Sequence, residues 1–138
     1  MKANELMVGN LILSPSGKIT KVFLVSEELF MVDRTSDRCQ GKTLDDWNPI
    51  PITEEWLAKN DFKKEYSYSP IVEYYSYKRL IDGYYVDIQF DCSNMGDDYV
   101  NCHIDDCDRY TVASADIQYV HQLQNLLNIM NIKFDIKL

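Results

Sequence analysis

The dipeptide Asp82-Gly83 constrains the fold most, because it joins two segments in which polar and apolar residues alternate. An Asp-Gly pair between such segments favours a two-residue type I′ turn, in which both residues adopt a positive φ. This turn determines the register of the flanking strands and places Ile81 opposite Tyr84. The sequence therefore predicts an antiparallel β-hairpin over residues 74–91.

The predicted register gives the hairpin two different faces. One face is mostly apolar, with the pairs Ile81–Tyr84, Arg79–Val86, Tyr77–Ile88 and Tyr75–Phe90. The other face is mixed, with the pairs Leu80–Tyr85, Lys78–Asp87, Ser76–Gln89 and Tyr74–Asp91. Opposite charges at directly opposed positions attract each other, so we expect Lys78 and Asp87 to form a charge pair on the mixed face.

Three short apolar segments precede the hairpin, at residues 10–13, 18–25 and 29–32. Turn residues separate them, and this pattern is typical of β-strands. Three short strands with tight turns can curl into a small SH3-like barrel, but an open meander has the same pattern.

The segment Thr53-Glu54-Glu55-Trp56-Leu57 predicts a short helix over residues 54–59. Thr53 can cap its first turn, and the two glutamates place negative charge near the positive end of the helix dipole. Asn60 can end the helix in a left-handed conformation. We expect the tryptophan and the leucine of this segment to be buried.

Residues 116–131 have the spacing of an amphipathic helix, with Ser114 or Asp116 as its cap. The apolar residues recur at three- and four-residue steps, at Ile117, Val120, Leu123, Leu127 and Met130. Strict alternation over residues 132–138 predicts a terminal strand, whose lysines suit a sheet edge.

This helix carries side-chain amides in place of charges around its apolar stripe. They are Gln118, Gln122, Gln124, Asn125 and Asn128, and His121 lies among them. Amides both donate and accept hydrogen bonds, and their burial avoids the desolvation cost of a charge. The amide face is therefore expected either to bind neighbouring backbone in the same molecule or to contact a partner.

Together these features predict an α+β protein. A small strand-rich unit over residues 1–50 precedes an α+β unit over residues 51–138, in which the antiparallel sheet with the Asp-Gly hairpin packs under the C-terminal helix. Pro49 and Pro51 mark the boundary, but they equally suit a tight connection inside one continuous domain.

The 138-residue chain has a formal net charge of −8. Because basic side chains supply most non-specific affinity for nucleic acids, direct binding to DNA or RNA is disfavoured, and so is binding to anionic membranes. The only adjacent basic pairs are Lys63-Lys64 and Lys78-Arg79. No stretch resembles a signal peptide or a membrane span, so we expect a cytoplasmic protein with its four cysteines reduced.

Four residues with soft metal-ligating side chains lie within sixteen positions: Cys92, Cys102, His103 and Cys107. They lack the close cysteine pairs of zinc sites, and strand alternation would point Cys102 and His103 to opposite faces. A loose EF-hand pattern starting at Asp91 has Met95 where an oxygen ligand is required. Signatures for nucleophilic catalysis and for phosphate binding are missing as well. We therefore predict no metal, no cofactor and no catalytic residue.

Three blocks lie at the beginning, middle and end of the chain: Met1–Leu6 with Gly9-Asn10, Pro49–Leu57 and Tyr119–Leu126. In these blocks the sequence resembles a family of small uncharacterised proteins of bacterial genomes, phages and prophages. The resemblance implies a cytoplasmic, phage-associated accessory protein. It implies no catalytic residue.

The leading functional interpretation is a non-enzymatic protein that binds another protein. The net negative charge favours a basic partner, which would be attracted by electrostatic steering. The side chains expected to bind it are Asp97, Asp98, Asp105, Asp106, His121, Gln122 and Asn125.

The alternative is a small enzyme or ligand-binding protein with a site between the sheet and the C-terminal helix. Its polar groups would include Tyr74, Tyr85, His103 and nearby aspartates. This alternative predicts a concave, mostly apolar pocket on which polar groups converge.

Overall fold

The structure is a computed structural model that describes residues 5–25, 30–32, 47–68, 73–91 and 99–137. Within these ranges the chain forms antiparallel sheets and two helices, as expected for an α+β protein. It divides into two compact units. Unit 1 comprises Met1–Pro51 and Tyr119–Asn125, and unit 2 comprises Ile52–Gln118 and Leu126–Leu138. That residues 1–50 form a domain of their own stays a prediction.

Unit 1 contains a four-stranded antiparallel sheet in the order β3-β2-β1-β4. Its strands are β1 (Leu11–Leu13), β2 (Ile19–Val25), β3 (Phe30–Val32) and β4 (Asn48–Pro49). The first three coincide with the predicted apolar segments, whereas β4 was not predicted. The buried core of this unit contains Leu6, Ile12, Val22 and Trp47.

Unit 2 contains a five-stranded antiparallel meander, in which every strand pairs with its neighbours in sequence. Its strands are β5 (Lys63–Tyr68), β6 (Glu73–Ile81), β7 (Tyr84–Asp91), β8 (Tyr99–Asp105) and β9 (Thr111–Asp116). Strands β6 and β7 reverse at Asp82 and Gly83, whose φ angles are 51° and 86°. Ile81 lies opposite Tyr84 and Lys78 lies opposite Asp87, which is the register expected from the Asp-Gly pair.

The side chains of this sheet divide between an apolar face and a polar face. The buried residues of the apolar face are Tyr77, Ile81, Val86, Ile88, Val100, Cys102 and Ile104. The opposite face is the mixed face of the sequence analysis, now extended by β8. Residues paired across β6, β7 and β8 form rows on this face: Lys78, Asp87 and His103; Ser76, Gln89 and Asn101; and Leu80, Tyr85 and Asp105.

Helix α1 (Glu54–Lys59) has the predicted bounds, and Thr53 Oγ1 accepts a hydrogen bond from Trp56 N at 3.2 Å. Leu57 is buried and Trp56 is partly buried. The prediction that Asn60 adopts a left-handed conformation is wrong, because its φ is −94° and the next residue, Asp61, has a φ of 61°. Asn60 continues the helical hydrogen bonding, since its backbone N–H donates to Trp56 O at 3.1 Å.

Helix α2 (Val120–Ile129) starts later than predicted. Ser114 and Asp116 are not helix caps, because both lie in β9 and pair with residues of β8. Gln122 Oε1 instead accepts a hydrogen bond from Tyr119 N at 3.1 Å, so a side chain of the first turn satisfies the backbone before the helix.

The apolar stripe of α2 faces inward, since Val120, Leu123 and Leu127 are all buried. Residues 132–137 do not form the predicted strand. The side chain of Asn60 takes the place of a neighbouring strand, because Lys137 N donates to Asn60 Oδ1 at 2.8 Å and Asn60 Nδ2 donates to Lys137 O at 3.1 Å. In the described ranges, neither helix has the length and apolar character needed to cross a membrane.

Candidate functional site

Two amide side chains of α2 bind the N-terminal segment of unit 1. Gln124 Oε1 accepts from Leu11 N at 2.9 Å, and Gln124 Nε2 donates to Gly9 O at 3.3 Å. Asn125 Oδ1 accepts from Asn10 Nδ2 at 2.8 Å, and Asn125 Nδ2 donates to Glu5 O at 2.8 Å. Each amide therefore uses its donor and its acceptor inside the molecule.

Asn10 is the buried counterpart of this contact and has only 1% of its surface exposed. Its Oδ1 accepts from Met7 N at 2.7 Å, while its Nδ2 donates to Asn125. Of the two roles expected for the amide face, the structure supports the internal one. Asn125 and Gln122 are both bonded to neighbouring groups of unit 1, and that they also contact a partner stays a prediction.

His121 is buried as well, with 1% of its surface exposed. Its ring stacks on Tyr119, with a centroid distance of 5.8 Å and an angle of 7° between the planes. Neither ring nitrogen has a hydrogen-bond partner in the described part of the chain. Burial lowers the pKa of His121 because it disfavours the charged form, although the nearby Glu5 carboxylate acts in the opposite direction. A buried imidazole is not accessible to a partner, so His121 is better explained as a core residue.

The aspartates expected to bind a partner have different surroundings. Asp97 and Asp98 lie outside the described residues. Asp106 Oδ1 accepts from Asp108 N at 3.0 Å and from Tyr110 N at 2.9 Å, so this side chain closes the turn between β8 and β9. Asp105 Oδ1 accepts from Thr111 Oγ1 at 2.7 Å, and the side chain lines a groove.

That groove is open to solvent, lies at the mixed face of β5–β8, and has a volume of about 520 Å³. Its lining is unusually rich in charge for a cavity. The acidic residues are Asp61, Glu65, Asp87 and Asp105, and the basic residues are Lys63, Lys78, Arg79 and Arg109. Leu80 and Tyr85 supply apolar surface between the charges.

Two acidic residues of the groove are already neutralised by ion pairs. Lys78 Nζ lies 2.9 Å from Glu65 Oε2. Asp61 binds Lys137 and lies 3.9 Å from Arg79 Nη2, and the Lys137 contact holds the pKa of Asp61 below its usual range. The expected charge pair between Lys78 and Asp87 is not formed. The reason is β5, a strand that the sequence did not predict, which brings Glu65 close to the lysine.

Asp87 lies in the groove with 7% of its surface exposed. Ser76 Oγ donates to Asp87 Oδ1 at 2.5 Å, and Gln89 Nε2 donates to Asp87 Oδ2 at 3.0 Å. Among the described residues, no cationic side chain forms an ion pair with this carboxylate. The groove thus contains a nearly buried acidic group that is held only by neutral donors.

Around Asp87 the groove has exposed apolar and cationic side chains. Leu80 and Tyr85 lie directly opposite each other, with 58% and 38% of their surfaces exposed. Lys63 and Arg109 also line the groove, and neither forms an ion pair within the described ranges. The predicted register already places Leu80, Tyr85 and Asp87 on one face, and Tyr85 is among the polar groups expected for the alternative ligand site. The three residues were not combined into one site, since Asp87 was expected to be neutralised.

The soft ligand residues do not form a cluster where the structure describes them. Cys102 is buried on the apolar face, whereas His103 lies on the mixed face. Burial raises the pKa of Cys102 to about 12, and the charge of Asp87 contributes in the same direction. Cys107 is exposed, and Cys92 lies outside the described residues. The described residues contain no group of three His, Cys, Asp or Glu side chains suited to a metal ion.

Comparison of the chain with protein-family models, with curated proteins and with solved structures gives no match. The geometry of the groove is therefore the basis for its functional interpretation.

Proposed function

We propose that the protein is a cytoplasmic, non-enzymatic accessory protein of phage or prophage type, which binds another protein through the groove at the mixed face of unit 2. The observation that supports this proposal best is the combination of a nearly buried acidic group, Asp87, with the exposed apolar pair Leu80 and Tyr85.

The apolar pair has the character of a binding anchor. Protein interfaces bury a few large side chains at their centre and surround them with polar groups that exclude water. Leu80 and Tyr85 are adjacent, exposed and flanked by charged rows of the same face. Their burial against a partner would remove apolar surface from water, which favours association.

The charges favour a partner with a basic surface. The chain has a net charge of −8, so it attracts a basic protein over distance. Within the groove, Glu65 and Asp61 are paired with cations of this chain, whereas Asp87 has no such pair in the described part. A partner cation can therefore satisfy Asp87 without displacing an internal ion pair.

The groove is less well suited to catalysis. A nucleophilic hydroxyl requires an adjacent base that can accept its proton. The group that accepts from the Ser76 hydroxyl is the Asp87 carboxylate, and a carboxylate is ordinarily a much weaker base than an imidazole. The side chain of His103 takes part in no ion pair within the described part of the chain and does not accept from Ser76. The geometry thus contains no pair of nucleophile and histidine base among these residues.

Small-ligand binding remains the second candidate because the groove volume of about 520 Å³ falls within the range of ligand pockets. Such pockets are mostly apolar with a few polar groups. Here eight of the ten lining residues are charged, four acidic and four basic, so the groove differs from such pockets in the residues that line it.

For unit 1 we propose that the four-stranded sheet closes into an SH3-like barrel around Leu6, Ile12, Val22 and Trp47. The antiparallel order β3-β2-β1-β4 and this buried cluster support closure. Backbone NOEs that connect the two outer strands would support the barrel. Rapid amide exchange along the outer edges of both strands would contradict it.

Affinity capture from a bacterial lysate tests the proposed function. We expect the wild-type protein to retain a basic protein at low salt and less of it at high salt, because screening weakens steering. The double variant Leu80→Ser/Tyr85→Ser should lose that protein.

The matched control is Tyr110→Ser/Val112→Ser, which removes a second exposed apolar pair, with 71% and 46% exposure, that does not line the groove. This control should retain the same protein as the wild type. Loss from both double variants, or from neither, would contradict binding through the groove.

A further inference from the structure

We propose that the groove is a receptor for one arginine side chain of the partner, with Asp87 as the residue that binds its guanidinium group. This inference rests on the proposed function and specifies the chemistry that the groove recognises. Three features of the groove favour an arginine: the free acceptor sites of Asp87, the burial of this carboxylate, and the side chains beside it.

Each carboxylate oxygen of Asp87 can accept one more hydrogen bond. A carboxylate offers about four acceptor sites, two on each oxygen. Ser76 uses one site of Oδ1 and Gln89 uses one site of Oδ2. One site therefore remains on each oxygen, which fits the two parallel N–H groups of a guanidinium better than the compact ammonium of lysine.

The burial of Asp87 makes a charged partner favourable. A carboxylate with 7% exposure has lost most of its hydration, and the two neutral donors replace that hydration only in part. A guanidinium is more weakly hydrated than an ammonium and is therefore less costly to bring into such a place.

The neighbouring side chains suit the remainder of an arginine. Tyr85 and Leu80 lie one step along the mixed face from Asp87, so an aromatic ring and an aliphatic group are available to the planar head and the methylene stem. Asp105 lies opposite Tyr85 and adds a second negative group. Lys63 and Arg109, which also line the groove, would repel a run of cations, so the groove favours a single basic side chain over a polybasic segment.

NMR titration of the isotope-labelled full chain with the peptide acetyl-Gly-Leu-Arg-Leu-Gly-amide tests this inference. We expect saturable shifts of the backbone amide of Asp87 and of the side-chain amide of Gln89. Replacement of the peptide arginine by glutamine should weaken binding by about tenfold or more, and replacement by lysine should have an intermediate effect. This comparison needs no variant of the protein.

The protein variant Asp87→Asn removes the charge and retains the shape of the side chain. It should abolish the preference for arginine over glutamine. Asp108→Asn, a change of the same type at an exposed position that does not line the groove, should leave the preference unchanged. Circular dichroism verifies that both variants are folded.

Three results would overturn the arginine receptor: equal affinity for the arginine and glutamine peptides, no saturable shifts at millimolar peptide, or an equal loss of preference in both protein variants. The capture experiment separates this inference from the proposed function. If Asp87→Asn still captures the protein that Leu80→Ser/Tyr85→Ser loses, the result supports binding through the groove and contradicts the arginine receptor.

Discussion

Asn125 explains at the level of single residues why α2 has a neutral face. Its amide accepts from Asn10 and donates to Glu5 O, so both halves of the group are used. A carboxylate at this position could not donate, and an ammonium could not accept. The composition of the helix indicated that its amides bind backbone or a partner, but it could not identify Asn10, which lies 115 positions away.

Asn125→Ala should destabilise the protein because it leaves the buried amide of Asn10 without its acceptor. We expect a loss of about 1–3 kcal/mol in the free energy of unfolding, measured by urea denaturation. Asn128→Ala changes an exposed amide of the same helix and should have little effect. Equal effects of the two variants would show that the contact with Asn10 does not stabilise the fold.

His121 should make stability depend on pH. Burial lowers its folded-state pKa below the ordinary value of 6.5, so the unfolded chain binds a proton more readily than the folded chain. Stability is therefore retained above about pH 6.5 and falls as the pH decreases below that value. Thermal melts between pH 7.5 and 5.5 should show this decrease in the wild type and a smaller one in His121→Leu.

His103 provides the control for this measurement, because it is the only other histidine and is partly exposed. His103→Gln should retain the pH dependence of the wild type. If this variant flattened the profile while His121→Leu did not, the buried ring would not be the responsible group.

Among the elements, local signals predicted well and pairing between distant segments did not. The Asp82-Gly83 turn and the Thr53 cap each depend on a few adjacent residues, and the corresponding hairpin and helix have the expected positions. Strand β5 lacks a clear alternation of apolar residues, so its position beside β6 could not be inferred. That omission also concealed the site, since β5 supplies Glu65, with which Lys78 forms an ion pair.

The C-terminal segment shows the opposite case: its apolar and polar residues alternate clearly, but it does not form the predicted strand. Residues 132–137 alternate as a strand does, but their partner is the side chain of Asn60. Phe134 packs edge-on against Trp56 and Phe62, with ring centroids 6.5 and 6.1 Å apart. Alternation along the segment thus did not lead to strand pairing, and its contact with the Asn60 side chain could not be foreseen, because Asn60 lies 77 positions away from Lys137.

Asn60→Ala should release this segment from its backbone contact. The amide of Lys137 donates to Asn60 Oδ1, so its hydrogen exchange should become at least about tenfold faster in the variant. The amide of Ile132 donates to Leu127 O and serves as an internal control that should not change. Unchanged exchange at Lys137 would mean that the side chain of Asn60 does not hold the segment.

At the scale of the whole molecule, the chain leaves unit 1 after Pro51 and returns to it at Tyr119, and these two residues are paired. Pro51 and Tyr119 form an antiparallel bridge, and Val120 N donates to Ile50 O at 2.9 Å. The first turns of α2 then provide Gln124 and Asn125 to the N-terminal segment. Residues of three segments that are far apart in sequence, 5–11, 50–51 and 119–125, thus meet inside unit 1, which a sequence boundary near residue 50 did not indicate.

A fragment of residues 1–51 should not unfold cooperatively, because Asn10 and Leu11 lose their partners on α2. A chain that joins residues 1–51 to 119–131 through a short glycine-rich linker should recover a cooperative transition, since the two joined ends are adjacent. Thermal melts followed by circular dichroism measure both. A cooperative transition of the shorter fragment at the temperature of the full chain would show that α2 is dispensable.

The most direct measurement concerns Asp87, which we interpret as a residue kept for binding at the expense of stability. Asparagine has nearly the same shape, and its Oδ1 can accept from Ser76 as the carboxylate does. Its Nδ2 can donate to Gln89 Oε1 once the Gln89 amide reverses, so Asp87→Asn removes the charge and can retain both contacts. Urea unfolding of the free protein at neutral pH should show a free energy of unfolding about 1 kcal/mol higher in the variant than in the wild type. A decrease of similar size would contradict this interpretation, because it would mean that the carboxylate of Asp87 stabilises the sheet.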